Sequence, residues 1–174
     1  RAIVSHLFAV VELNVIGIDH ADLPGDQPQD SPGLRRKRMD LLLGKIESPG
    51  VAEGEPVHLD GWLINACPVN GPAIDAAGET VVVAWFTGAN EQPRVKVAFS
   101  TDAGATFAEP ITVDDGNPAG RVDIALAGDG SAWVSWIERL EGAEAEVRVR
   151  GVSPTRSLAR SGTIAAFDRG RASG

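Results

Sequence analysis

The sequence predicts an all-β chain: a partial β-propeller of about two to two and a half four-stranded blades, preceded by an irregular N-terminal segment. Three observations carry this expectation. Short runs rich in valine, isoleucine and aromatics are each bounded by Gly, Asp and Asn, the pattern of strands separated by tight turns. The runs recur at a spacing of about 50 residues. Between two of them, "STDAGATF" (Ser100 to Phe107) has the composition of a turn that bonds to itself.

The opening "AIVSHLFAVVELNVIGI" is apolar, but His6, Glu12 and Asn14 interrupt it and it falls short of the roughly 18 clean apolar residues of a membrane span. It reads as a strand or helix, with a leader remnant as the alternative. The chain opens on Arg1 rather than Met, so a processed or partial product is expected. "DHADLPGDQPQDSPGLRR" (19–36) is dense in Pro, Gly and Asp and reads as a linker. The basic run Arg35-Arg36-Lys37-Arg38 reads as solvated charge. Residues 1–45 are therefore set apart as an unassigned segment and linker, and residues 46–174 divide into a partial blade (46–60) and two blades (61–116 and 117–168).

Within the blades the strand candidates are "TVVVAWF" (Thr80 to Phe86), "RVKVAFS" (Arg94 to Ser100), "EPITV" (Glu109 to Val113), "RVDIAL" (Arg121 to Leu126) and "SAWVSWI" (Ser131 to Ile137). "EVRVRGV" (Glu146 to Val152) alternates strictly, as a half-exposed strand does. Aligning "AAGETVVVAWF" with "AGDGSAWVSWI" places Trp85 on Trp136, 51 positions later. "RVKVAFS" then falls on "VRVRGVS" and "EPITV" on "SGTIA", while "EPVHLDG" at Glu55 matches "EPITVDDG" 54 positions on. A four-stranded unit of this length cannot cover both faces of its own sheet, so it stacks on neighbours, as propeller blades or solenoid turns do. A β-sandwich has a similar strand count but does not predict the repeat. Propellers close with about four to eight blades, which makes the chain a segment of a longer protein with the remaining blades as partners.

Composition removes several function classes. A formal charge of −8 repels phosphate, so neither nucleic acid nor an anionic membrane is an expected partner. The single cysteine, Cys67, excludes an internal disulfide and a Cys-rich metal site. Without a neighbouring histidine it reads as a buried small hydrophobe, or the partner of a cysteine outside the segment. His6, His20 and His58 lack metal-ligand spacing. Asp114-Asp115-Gly116-Asn117 offers oxygens but not the spacing of a calcium loop, and reads as a solvated turn. No metal and no cofactor is expected.

In "STDAGATF" each residue has a local task. Asp102 accepts hydrogen bonds from amides of its own turn, Gly104 permits a positive φ, Thr106 adds a second side-chain link and Phe107 can pack inward. Ser100, Asp102, Gly104, Thr106 and Phe107 match Ser-x-Asp-x-Gly-x-Thr-aromatic, and on this motif the chain resembles the sialidase-like β-propellers with Asp-box, or BNR, repeats. The stretch from Trp62 to Glu138, with "GWLINACPVNGPAI" and "VAWFT", is similar to bacterial proteins of that kind, and the resemblance covers residues 50–168. The next unit keeps Ser153 but continues "PTRSLARSG", a decayed box.

The resemblance implies that the box joins the third and fourth strands of a blade. It also implies a glycoside hydrolase in which three arginines hold the substrate carboxylate, a tyrosine assisted by a glutamate attacks, and an aspartate protonates the leaving oxygen. This sequence has no tyrosine and no Arg-Ile-Pro signature, so no catalytic residue is assigned and the chain alone is expected to be inert. Whether the parent is an enzyme stays open, the alternative being a non-catalytic propeller that binds a glycan or a protein. Export from the cytoplasm is the location the resemblance implies.

In a four-stranded blade the first-to-second and third-to-fourth turns share one end. The loop into the first strand and the second-to-third loop share the other, which is the ligand end in the resembling family. Trp62 to Gly71, Thr87 to Pro93, Asp114 to Arg121 and Glu138 to Glu144 are its candidate loops. Arg121 is suited to clamp a carboxylate with its planar fork, and Asp123, two residues on, shares its face unless the two simply pair. Asn65 and Asn70 in "NACPVNGP" offer amides to a polar ligand, although Asn70-Gly71-Pro72 also suits a plain turn. Trp62 is the aromatic ligand candidate. Trp85, Trp133 and Trp136 also offer rings that can stack on a sugar, but they lie in apolar strands, where tryptophan is ordinarily core.

Overall fold

The computed structural model describes the backbone at residues 16–17, 37–43, 46–47, 50–51, 55–64, 70–142 and 144–168, and side chains at 56–62, 70–142 and 144–168. Among these residues the chain is all-β, with one 3-10 turn at Ala89–Glu91 and no α-helix. β1 (Ile16–Gly17), β2 (Lys37–Leu43) and β5 (Glu55–Ile64) form a three-stranded antiparallel sheet, and β3 (Ile46–Glu47) pairs with β4 (Gly50–Val51). The segment read as irregular thus contains two strands, with Arg38 of the basic run opposite Ile16 on one side and Leu63 on the other. The apolar "LLL" that closes β2 supplies strand character that the preceding Pro- and Asp-rich stretch conceals. The boundary drawn after residue 60 falls inside β5.

Two four-stranded antiparallel sheets follow, each a meander with its strands in sequence order. The first holds β6 (Ala73–Ala77), β7 (Thr80–Thr87), β8 (Arg94–Ser100) and β9 (Ile111–Thr112). The second holds β10 (Pro118–Leu126), β11 (Ala132–Arg139), β12 (Glu144–Val152) and β13 (Gly162–Asp168). The expected strand "EPITV" is cut to two residues because Pro110 has no N–H for a ladder and the carbonyls of Glu109 and Pro110 accept instead from the Arg156 guanidinium.

The sheets stack. Val82, Ala84, Val95, Val97, Phe99, Ile111 and Val113 of the first meet Ile124, Ala132, Val134, Trp136 and Val152 of the second in one buried cluster. On its other face the first sheet buries Val81, Val83, Trp85 and Ala98 against Val57 of β5. Coverage on both faces explains why β7 reads as an unbroken apolar run, whereas β11 alternates buried and open positions. Val81, Val83 and Trp85, which face the preceding sheet, stand 51 residues before Ala132, Val134 and Trp136, which do the same.

Each buried indole has a carboxylate partner. Trp85 Nε1 donates to Asp60 Oδ2 of β5 at 2.7 Å, and Trp136 Nε1 to Glu138 Oε2 at 2.6 Å. Each third strand also sends a cation to an acid of the preceding sheet or of the turn that follows it. Lys96 Nζ reaches Asp60 at 2.5 Å, and Arg148 and Arg150 reach the two oxygens of Asp115 at 2.9 and 2.5 Å. Asp114 caps the Val95 amide at 2.7 Å and is 1% exposed. In the Asp114–Asn117 turn Asp114 is thus engaged within the first sheet and Asp115 reaches the second, while Asp115, Gly116 and Asn117 stay exposed, as the solvated-turn reading expects.

Candidate functional site

The two ends of the stacked sheets differ in character. At one end lie the β6–β7 turn, the β8–β9 connection and the β10–β11 turn. The first two touch, since the Ala103 amide donates to Glu79 O at 2.8 Å. Here Asp102 accepts the Thr106 amide (2.9 Å) and hydroxyl (2.6 Å) as well as the Ser100 hydroxyl (2.7 Å). The Thr106 hydroxyl bond, then Ser100, then the Thr106 amide hold the Asp102 carboxyl down at about 2. Ser100 Oγ also accepts the Gly104 amide at 2.9 Å, and Ala103 and Gly104 both take positive φ, at 57° and 86°. Phe107 packs beside Val81, Val83 and Trp85. All these groups are occupied with one another, which is the chemistry of a locked turn.

The other end gathers the loops that lead into β6 and β10 and the β7–β8 and β11–β12 connections. Asn70 grips the next sheet here: its Oδ1 accepts the Arg121 amide at 3.2 Å and its Nδ2 donates to Ala119 O at 3.4 Å. A Cβ on Gly120, at φ +95°, would stand 2.4 Å from Asn70 Cγ, so the amide lies flat on a backbone that only glycine permits. β10 bulges at this point, with register shifts on both sides of Gly120 before pairing resumes at Asp123. Arg121 sits in the bulge at φ +55°, a conformation uncommon for a residue with a side chain.

That bulge decides how the candidate residues are presented. Arg121 and Asp123 are both exposed, and no ion pair joins them. Asp123 Oδ1 accepts the Ile124 amide at 2.9 Å, leaving its second oxygen toward solvent. Trp62 stands edge-on to Phe86, ring centroids 5.7 Å apart, and its indole lies 3.0 Å from where a Cβ on Gly88 would stand. Its ring is thus engaged by the β7–β8 loop, while Asn70 is engaged by β10. Asn65 and Cys67 lie outside the described residues. Of the candidates, Arg121 and Asp123 present charge to solvent and Asn70 positions the strand that carries them.

A cleft of about 520 Å³ lies at the outer edge of the second sheet, lined by Leu140, Glu144, Glu146, Ala166, Phe167 and Asp168. Its acids repel carboxylates, so it is no counterpart to Arg121. Among the described residues no group of three or more His, Cys, Asp or Glu is placed to hold a metal ion. No helix of the described residues is long and apolar enough to cross a membrane. Sequence reasoning missed Asp60, Asp115, Arg148 and Arg150. Their signal was present in "EVRVRGV", where arginines alternating with valines must turn one set toward the neighbouring sheet. In comparisons with known proteins, the chain matches no family model and no curated protein.

Proposed function

We propose that the chain is a segment of a sialidase-like β-propeller of the Asp-box type, exported from the cytoplasm, that contributes Arg121 to a site for a carboxylate-bearing glycan. The observation that carries this reading is the pair of four-stranded meanders stacked in one sense at a 51-residue spacing, the first closed by the Ser100–Phe107 turn. An exposed guanidinium held on a bulge at the end opposite that turn suits bidentate capture of a carboxylate. Asp123 beside it can accept a hydroxyl, and Asn70 keeps the bulge in place. With no tyrosine in the chain, attack on a glycosidic carbon has to come from residues elsewhere in the parent protein.

The second reading is a propeller that binds a glycan or protein without turning it over, and the absence of tyrosine favours it for the chain in hand. A longer reading frame that contains this segment tests both. Hydrolysis of a fluorogenic sialoside, abolished by Arg121→Ala, supports the hydrolase. Retention on a glycan array without turnover, weakened by the same change, supports the binding protein. Equal glycan binding and turnover by Arg121→Ala and the unchanged protein would remove Arg121 from the site.

A further inference from the structure

Asn70 combines a reactive sequence with a structural task. It is the only asparagine of the chain that is followed by glycine. Asn14, Asn65 and Asn90 precede Val15, Ala66 and Glu91, and Asn117 precedes Pro118, which has no N–H. A glycine on the C-terminal side leaves the next amide nitrogen unhindered, so that it can close on the asparagine's own side-chain carbon. Gly71 is exposed, and a Cβ built on it would meet no atom within 4 Å. Its amide makes no hydrogen bond among the described residues. The nucleophile is therefore free, and there is room for the ring to close.

What restrains the pair is the side chain. Asn70 Oδ1 accepts the Arg121 amide at 3.2 Å and Nδ2 donates to Ala119 O at 3.4 Å, both at the long end of the hydrogen-bond range. Between them Asn70 Cγ occupies the place that a Cβ on Gly120 would need. Attack makes Cγ tetrahedral and draws it toward the Gly71 nitrogen, which an amide held flat at both ends resists. Two long bonds at the surface form a local contact, however, and such contacts open far more often than the whole molecule unfolds.

We propose that Asn70-Gly71 is a deamidation site, with water as co-reactant, and that the grip of Asn70 on β10 sets its rate. The Gly71 nitrogen gives up its proton to hydroxide and forms a bond to Asn70 Cγ. The Cγ–Nδ2 bond then breaks, and Nδ2 leaves as ammonia with a proton taken from water. Water opens the resulting succinimide at either carbonyl. One product is aspartate, the other isoaspartate, in which the main chain runs through Cγ. In aspartate one oxygen can still accept the Arg121 amide, but against Ala119 O an acceptor now meets an acceptor. In isoaspartate the extra main-chain carbon displaces the whole group. Either way the bulge of β10 loses a holder, and a negative charge appears where the neutral amide met the Arg121 backbone. One irreversible step thus loosens the strand that presents Arg121, whether or not Arg121 binds a glycan.

The test incubates the full chain in mildly alkaline buffer and follows every asparagine by peptide mass spectrometry, with fragmentation that separates Asn70 from Asn65 and Asn90. Exchange of NH2 for OH is expected at Asn70 ahead of the other asparagines, as a mixture of aspartate and isoaspartate. Gly71→Ala should slow it several-fold. Unfolding in urea is expected to raise the rate at Asn70 several-fold, and so is Gly120→Ala, whose new Cβ displaces the amide. Should Gly120→Ala fail to fold, wild type in urea below its unfolding transition supplies the same comparison, because local opening alone raises the rate there. A folded chain that keeps Asn70 intact while the unfolded chain converts overturns the proposal, as does another asparagine that reacts first. Equal rates in the folded and unfolded chain would overturn the role given to the grip. No step reads glycan binding or turnover, so this idea and the Arg121 site fail separately.

Discussion

Among the described residues the first sheet is covered on both faces and the second on one, and the difference is written into matched positions. Where the first has Val82 and Ala84 under a neighbour, the second has Trp133 and Ser135 facing out. The inward stripes, by contrast, are nearly interchangeable: Val81, Val83 and Trp85 in one, Ala132, Val134 and Trp136 in the other. Tertiary coverage rather than strand propensity therefore sets which positions are buried, since both strands are rich in β-formers. The polar tethers follow the same logic. Asp60, within β5, and Asp115, just after β9, each receive cations from the third strand of the sheet that follows.

The comparison breaks most visibly at its matched pair. Val82→Asp places an unpaired carboxylate in the shared core and is expected to cost more than about 4 kcal/mol, enough to unfold a marginal domain. Trp133→Asp, at the repeat-related position, loses only the covered half of its ring and is expected to cost about 2 kcal/mol. Urea unfolding midpoints at unchanged slope measure both. Equal losses would mean that the outward face is already covered in solution.

The inward tryptophans should behave alike. Trp136→Ala removes a fully buried ring and leaves Glu138 Oε2 without its indole donor, for an expected loss of about 3–5 kcal/mol. Trp85→Ala, whose indole partner is Asp60, is expected to fall in the same range, about 3–5 kcal/mol. A markedly smaller loss for Trp85 would show that the cover supplied by β5 is loose.

Gly120 sharpens the junction between the sheets. Gly120→Ala meets both the positive φ and the Asn70 amide and is expected to cost about 2 kcal/mol or more. Asn70→Ala alone costs less, and the double variant should recover part of the Gly120→Ala loss, because removing the amide relieves the clash but not the φ. Strict additivity in that cycle would show that the two residues do not touch.

Much of this architecture was legible beforehand, for identifiable reasons. Strand positions and the 51-residue spacing show in side-chain periodicity, which survives substitution as long as valine, alanine and tryptophan keep their faces. What stayed hidden depends on contacts distant in sequence. Alternation in "EVRVRGV" shows two faces but not which one meets Asp115. Asn70-Gly71-Pro72 carries turn chemistry in its own letters, while the grip of Asn70 on Ala119 and Arg121 needs a strand some fifty residues away. The bulge that separates Arg121 from Asp123 comes from the same contact, so the expected shared face of that pair could not be checked locally.

The smallest expected effects lie in the two turns that follow the third strands. After Ser153 the box residues are lost, yet Ser153 Oγ accepts the Ser157 amide at 3.2 Å, as Ser100 Oγ accepts Gly104, and Thr155 takes the place of Asp102 against the serine at 2.8 Å. Arg156, three residues past the serine, is left-handed at φ 68°, as Ala103 is at 57°. The backbone turn therefore outlasts its motif, and what differs is a charge. Asp102 holds its proton-free form through Thr106 and Ser100, with its carboxyl at about 2 against an ordinary 3.8. A carboxyl depressed by folding contributes stability that is complete above about pH 4 and fades as pH falls toward about 2, because the unfolded chain takes up the proton first. Asp129, held down by the Ser131 hydroxyl and amide, acts in the same direction but is present in wild type and variant alike, so it cancels from their difference. Thermal midpoints of wild type and Asp102→Asn should thus be furthest apart above pH 4 and converge on acidification, while Thr155→Ala gives a small, pH-independent shift. A gap for Asp102→Asn that stays constant from pH 5 to pH 2 would show that the turn is held by its backbone alone in both sheets.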